Sequence, residues 1–130
     1  MTATRILLVD DDRFFAKLTA AMLAPADVHI AKNGAEGLAM MKREPFDLLI
    51  TDLLMPEKDG IETIVEIRRE NERLPILAIS GGGKYGARDE LLRMAQRLGA
   101  TATLQKPFTR EQLIAVVDQC LAARPEVPPT

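Results

Sequence analysis

Cysteine, histidine, tryptophan and net charge are all scarce in this chain of 130 residues, and each scarcity removes a class of protein. A single cysteine, Cys120, has no partner for an internal disulfide, and a lone thiol suits a reducing compartment. A single histidine, His29, excludes a metal site built on clustered imidazoles. The net charge of -2 and a pI near 5.5 argue against a surface for nucleic acid or for a membrane. No run approaches the ~18 apolar residues of a spanning helix. The first residues, "MTATR", offer no apolar stretch of a secretory signal. A cytoplasmic location is therefore expected.

What the chain does have is an ordinary globular balance, 47% hydrophobic and 28% charged residues. Its length suits one domain that buries about two-thirds of its unfolded surface. Residues 1–124 read as that domain and residues 125–130 as a proline-rich tail. Short apolar runs alternate with stretches of helical period. Arg5 to Val9, Asp27 to Ala31, "FDLLITD", "PILAIS" and "TATLQ" read as strands. Between them, Phe14, Phe15, Leu18 and Met22 share one helical face, and Ile61, Ile64, Val65 and Arg68 share another. Gly99 is placed to end a helix. In the last helix Leu113, Val116, Val117, Cys120 and Leu121 form one apolar stripe, which makes Cys120 a core thiol. A β/α unit repeated five times predicts a doubly wound α/β fold, a parallel sheet covered on both faces. Ligands of such sheets bind beyond the carboxyl ends of the strands.

The residues at those ends are Asp10, Asp11 and Asp12 after the first strand, Asp52 after the third, Ser80 after the fourth and Lys106 after the fifth. Asp12, just before "RFFAKL", reads as a helix N-cap. The others come from four separate segments to one edge. Two carboxylates about 4 Å apart repel by roughly 4 kcal/mol at an effective dielectric near 20. A cation is needed, and oxygen donors without histidine or thiolate select a hard one, with Mg²⁺ preferred over the more demanding Ca²⁺. A metal, a carboxylate, a hydroxyl and an ammonium together suit a phosphoryl group in transit.

These residues resemble the receiver domains of two-component response regulators over about residues 4–123, and the order of motifs carries the likeness. "ILLVDDD" is similar to the family's acid-pair strand, "LLITDLLMPEKDG" to its phosphoacceptor strand and loop, "PILAIS" to its hydroxyl strand and "LQKPF" to its lysine-proline strand end. The resemblance implies a flavodoxin-like sandwich with strand order 2-1-3-4-5. It implies that Asp52 is the phosphoacceptor, taking its phosphoryl group from a phosphohistidine of a sensor histidine kinase or histidine phosphotransfer protein. Asp11 would bind Mg²⁺ directly and Asp10 mainly through water, with Asp52 and the backbone carbonyl of Leu54 completing the set. Lys106 would pair with the phosphoryl oxygens, Ser80 would move to hydrogen-bond them, and the peptide before Pro107 would be cis. Such a protein is a signalling phosphoacceptor and not an enzyme in the usual sense.

The chain departs from the family in two places. Thr103 stands where the family has its switch aromatic. The interval from Ser80 to Lys106 is longer than usual, the excess lying in "GGGKYGARDE". Gly81 and Gly82 are expected to loosen that loop, Gly82 to leave the phosphoryl group open to water, and Tyr85 to offer a substitute aromatic. A stand-alone receiver, monomeric or dimerising on phosphorylation, is the expected organisation, with a protein target not identified by the sequence. The alternative is a receiver portion of a larger regulator or hybrid kinase. Two other classes compete. A small Mg²⁺-dependent aspartyl phosphatase of the haloacid dehalogenase type would use Asp10 as nucleophile, but Phe14 stands where that motif expects threonine. A flavodoxin-like electron carrier would want a hydroxyl-rich phosphate loop where this chain has three aspartates.

Overall fold

Side chains alternate with period two between the two faces of the sheet, and helices buried with period 3.6 cover both. The computed structural model describes residues 3–53, 60–81 and 87–123, residues 87–89 by their backbone alone. Along the chain run β1 (Arg5–Val9), α1 (Arg13–Met22), β2 (Asp27–Ala31), α2 (Gly34–Arg43), β3 (Leu48–Asp52), α3 (Gly60–Glu70), β4 (Ile76–Ser80), α4 (Ala87–Leu98), β5 (Ala102–Gln105) and α5 (Arg110–Ala122). All neighbouring strands pair parallel in the order β2-β1-β3-β4-β5, the doubly wound order expected. Parallel pairing demands a crossover helix between successive strands, so helices cover both faces.

Alternate residues of each strand enter opposite cores. Leu7, Val9, Leu49, Ile76 and Ala78 face the layer of α2, α3 and α4, where Ile64, Ile67, Leu92 and Ala95 meet them. Ile6, Leu8, Leu48, Ile50, Leu77 and Ile79 face α1 and α5, meeting Ala16, Leu113, Val117 and Cys120. β3 and β4 are buried at every position, and each Leu or Ile so enclosed contributes about 1.5–3 kcal/mol. Burial pushes the Cys120 thiol up to about 11, so it is the inert core thiol the stripe predicts.

Two helix faces differ from their expected composition. On α1 the buried positions are Ala16 and Thr19, while Phe14 is 74% and Leu18 44% exposed. Small residues against β1 and β3 let α1 lie close to the sheet, and the bulky side chains are displaced to its flank. Phe14→Ser is accordingly expected to change stability by less than about 0.5 kcal/mol in chemical denaturation; a loss of several times that size would place Phe14 in the core. On α3 the buried side is Gly60, Thr63, Ile64 and Ile67, with Ile61, Val65 and Arg68 only half-buried. Arg68 instead reaches the end of α4, where its Nε donates to the Gly99 carbonyl at 2.9 Å. Gly99 has φ +120°, and the Ala100 N–H donates back to the Ala95 carbonyl at 2.9 Å, closing α4 as expected.

At the amino ends of the strands lies a polar cluster that the sequence reading did not anticipate. The Arg5 guanidinium pairs with Glu44 at 2.8 Å, beside Asp27 and His29, and stacks 5.2 Å from the Phe46 ring centroid. His29, on β2, meets the same ring edge-on, a structural placement. No helix among the described residues is long and apolar enough to cross a membrane. Leu54, Gly82, Tyr85 and the tail at 125–130 lie outside the described residues.

Candidate functional site

Strand register assembles the site. Val9 pairs with Thr51, Asp52 with Ile79 and Ser80 with Gln105, so the residues ending these strands meet at one edge. The Lys106 N–H donates to the Ser80 carbonyl at 2.9 Å, and the Leu53 N–H to the Ile79 carbonyl at 2.9 Å, which extends the ladder through the site itself. Carboxylate oxygens of Asp10, Asp11 and Asp52 lie within 4.8 Å of one another. The Lys106 ammonium is 3.2 Å from Asp52 Oδ2 and 3.7 Å from Asp10 Oδ2. The bond from Lys106 to Pro107 is cis, as the resemblance implies; that from Ala24 to Pro25 is cis as well.

The three aspartates have different surroundings. Asp12 is the N-cap of α1, its Oδ1 accepting from the Phe15 N–H at 3.0 Å. Asp11 is exposed. Asp10 is 2% exposed, and its Oδ1 accepts from the Asp12 N–H at 2.9 Å. The Asp10 carboxyl is pushed up to about 6, chiefly by desolvation and also by the charges of Asp52 and Asp11, against the pull of the Asp12 N–H and of Lys106. A carboxylate so strained by burial and like charge, in a set of oxygen donors, fits a hard cation. Asp10 and Asp52 are both buried beside Lys106, with Asp52 the nearer to its ammonium, at 3.2 Å against 3.7 Å.

Ser80 is fully buried at the end of β4, with its hydroxyl donating to the Gly81 carbonyl at 3.4 Å. It thus stands at the site's edge with a local partner. Gly81 lies against the Lys106 chain, since a Cβ there would be 3.4 Å from Lys106 Cδ. Thr103 is half-buried on β5, paired with Ala78. One neighbour of the site was not foreseen: the Lys106 ammonium sits 4.0 Å from the centroid of the Phe15 ring. A phenylalanine beginning a helix carries no sign of this, because the contact joins residues distant in sequence.

The comparisons with known proteins agree with this geometry. The family model for the response regulator receiver domain matches residues 6–118. The chain is 32% identical over 118 residues to the transcriptional regulatory protein GlrR of Escherichia coli, covering 89% of this chain and 26% of that protein. It therefore spans about a quarter of that relative's length. It is 40% identical to a 14.6 kDa protein of Leptolyngbya boryana, covering 93% of each. Among solved structures, a CheY-like response regulator receiver domain protein from Methanospirillum hungatei superposes with a TM-score of 0.83 at 26% identity, over 93% of this chain and 95% of that one. With the family's motifs in order, its fold and its acidic edge all present, this chain belongs to the response regulator receiver domains.

Proposed function

We propose that Asp52 is the phosphoacceptor of a two-component pathway, charged by a phosphohistidine of a sensor histidine kinase or histidine phosphotransfer protein. The observation that carries this reading is the Lys106 ammonium 3.2 Å from Asp52 Oδ2, within a cluster of three carboxylates. An Asp52 oxygen attacks phosphorus, the bond from phosphorus to the donor imidazole nitrogen breaks, and the imidazole leaves with its electron pair. Lys106 stands where negative charge gathers on the transferred group, and its placement precedes the reaction. The Ser80 hydroxyl, held among the described residues by a long bond to its neighbouring carbonyl, can turn to a phosphoryl oxygen. Asp10, Asp11 and Asp52 would hold Mg²⁺, to which the family resemblance adds the Leu54 carbonyl. When bound, the ion neutralises the carboxylates and the incoming phosphoryl oxygens. The output is a change of conformation read by a protein partner.

Incubation with acetyl phosphate and Mg²⁺, followed by mapping of the modified residue, is expected to place the label on Asp52 and to give none in Asp52→Asn. Label on Asp10, or label persisting in Asp52→Asn, would instead support the phosphatase chemistry and overturn this assignment.

A further inference from the structure

Lys106 has an aromatic neighbour as well as anionic ones. Its ammonium lies 3.2 Å from Asp52 Oδ2 and 3.7 Å from Asp10 Oδ2, and over the Phe15 ring at 4.0 Å from the centroid. The Phe15 ring stands edge-on to Phe108, with centroids 5.7 Å apart and planes at 81°. Phe108 in turn packs on the core shared by α1 and α5. An unbroken series of contacts thus runs from Asp52 through Lys106, Phe15 and Phe108 into the α1/α5 layer. A further bond ties that layer together: Arg110 Nε donates to the Met22 carbonyl at 3.2 Å.

A lysine chain has four rotatable bonds and loses rotamer entropy when it is held. Carboxylates alone attract the ammonium without limiting its approach. The Phe15 ring adds a further contact and attracts the cation through its negative face. Adding a phosphoryl group of nearly two negative charges to Asp52 changes the competition, because the ammonium then has a stronger anionic partner than the ring. As Lys106 moves toward the new charge, Phe15 loses its cation and its packing against Phe108 is free to change.

We propose that Phe15 is a positioning residue for Lys106, and that the Phe15–Phe108 pair transmits the state of Asp52 to α1 and α5. The proposal rests on Asp52 being the phosphoacceptor. It gives this chain an aromatic coupling on the α1/α5 side of the sheet, opposite the face on which β5 carries Thr103, paired with Ala78, and no ring. Phe15 has the qualities such a part requires: it is half-buried, follows directly from the capped start of α1, and touches both partners.

The test compares wild type, Phe15→Leu and Phe15→Tyr by NMR with labelled lysine and phenylalanine, and by the rate of Asp52 labelling with acetyl phosphate and Mg²⁺. In the wild type the Lys106 Hε protons are expected upfield, shielded by the ring, and to move downfield on phosphorylation while the Phe108 ring signals shift. Phe15→Leu is expected to place Hε at the position of a free lysine, to slow labelling about 2–5-fold, the loss of one half-buried cation–π contact, and to abolish the phosphorylation-dependent shift of Phe108. Phe15→Tyr restores all three, which a purely structural role for the side chain would not predict. Unshifted Hε in the wild type, or equal rates in wild type and Phe15→Leu with Asp52 labelled in both, overturns the role of Phe15 alone. A wild type that takes no label on Asp52 overturns the phosphoacceptor reading and the coupling with it. The wild-type Hε shift needs no variant, so a poorly folded Phe15→Leu leaves the proposal open to refutation.

Discussion

Asp10→Asn is expected to stabilise the metal-free protein at neutral pH by about 2 kcal/mol, a rise in melting temperature of about 7 °C. Asp10 is 2% exposed and its carboxyl is raised from 3.8 to about 6, chiefly by desolvation. A carboxyl whose folded value exceeds its unfolded one binds its proton more tightly in the native state. Its contribution to stability is therefore complete below pH 4 and is lost as pH rises through about 6, when the buried group must ionise. Asparagine keeps an oxygen to accept the Asp12 N–H at that position and removes the charge. The gain should shrink between pH 6 and 4 and vanish below. Mg²⁺ provides the complementary measurement: by mass action it should raise the melting temperature of the wild type at pH 7.5 and raise that of Asp10→Asn much less. Thermal melts across pH, with and without millimolar Mg²⁺, read both effects. A variant melting at or below wild type in the absence of metal at pH 7.5 would show that Asp10 is not an electrostatic burden.

Gly60→Ala is expected to have the opposite sign and a larger size, a loss of about 3 kcal/mol or more. A Cβ at position 60 would fall on the Asp52 carbonyl oxygen and 2.7 Å from Leu53 Cα. Those neighbours are backbone and cannot rotate away. β3 is hydrogen-bonded to β1 on one side and β4 on the other, so moving its end disturbs both ladders. The same displacement moves Asp52, and Mg²⁺ should no longer protect the variant against heat. Gly81→Ala is the control, because among the described residues its added Cβ would meet only Lys106 Cδ, in a flexible chain, at 3.4 Å. It should cost no more than about 1 kcal/mol. Circular dichroism melts of the two variants side by side check this, and equal stability would show that α3 can withdraw from β3 without penalty.

Asp12 was readable as a cap because capping is local: a carboxylate accepts from the N–H three residues on, whatever the rest of the fold does. Cys120 was readable as core because its stripe repeats with the helix. The faces of α1 and α3 were not readable to the residue. Hydrophobicity alone places Phe14 and Leu18 inside, whereas the spacing between helix and sheet selects Ala16 and Thr19. The cluster of Arg5, Asp27, His29 and Glu44 was likewise missed, since a polar group on a weak strand has no sequence mark of the partners awaiting it.

Sheet type and the acidic edge were determined by the sequence itself, because apolar runs of strand length force burial on both faces and parallel strands deliver their last residues to one side, while the strand order followed from the family resemblance. Asp10, Asp11, Asp52 and Lys106 needed no coordinates to be named together. The tertiary structure alone decided that Asp10 is buried and Asp11 exposed, that Gly60 abuts the strand bearing Asp52, and that the Lys106 ammonium rests on Phe15. Each of these depends on distances between segments far apart in the chain, set by packing to within a few tenths of an ångström, and residue type and spacing carry no such distances.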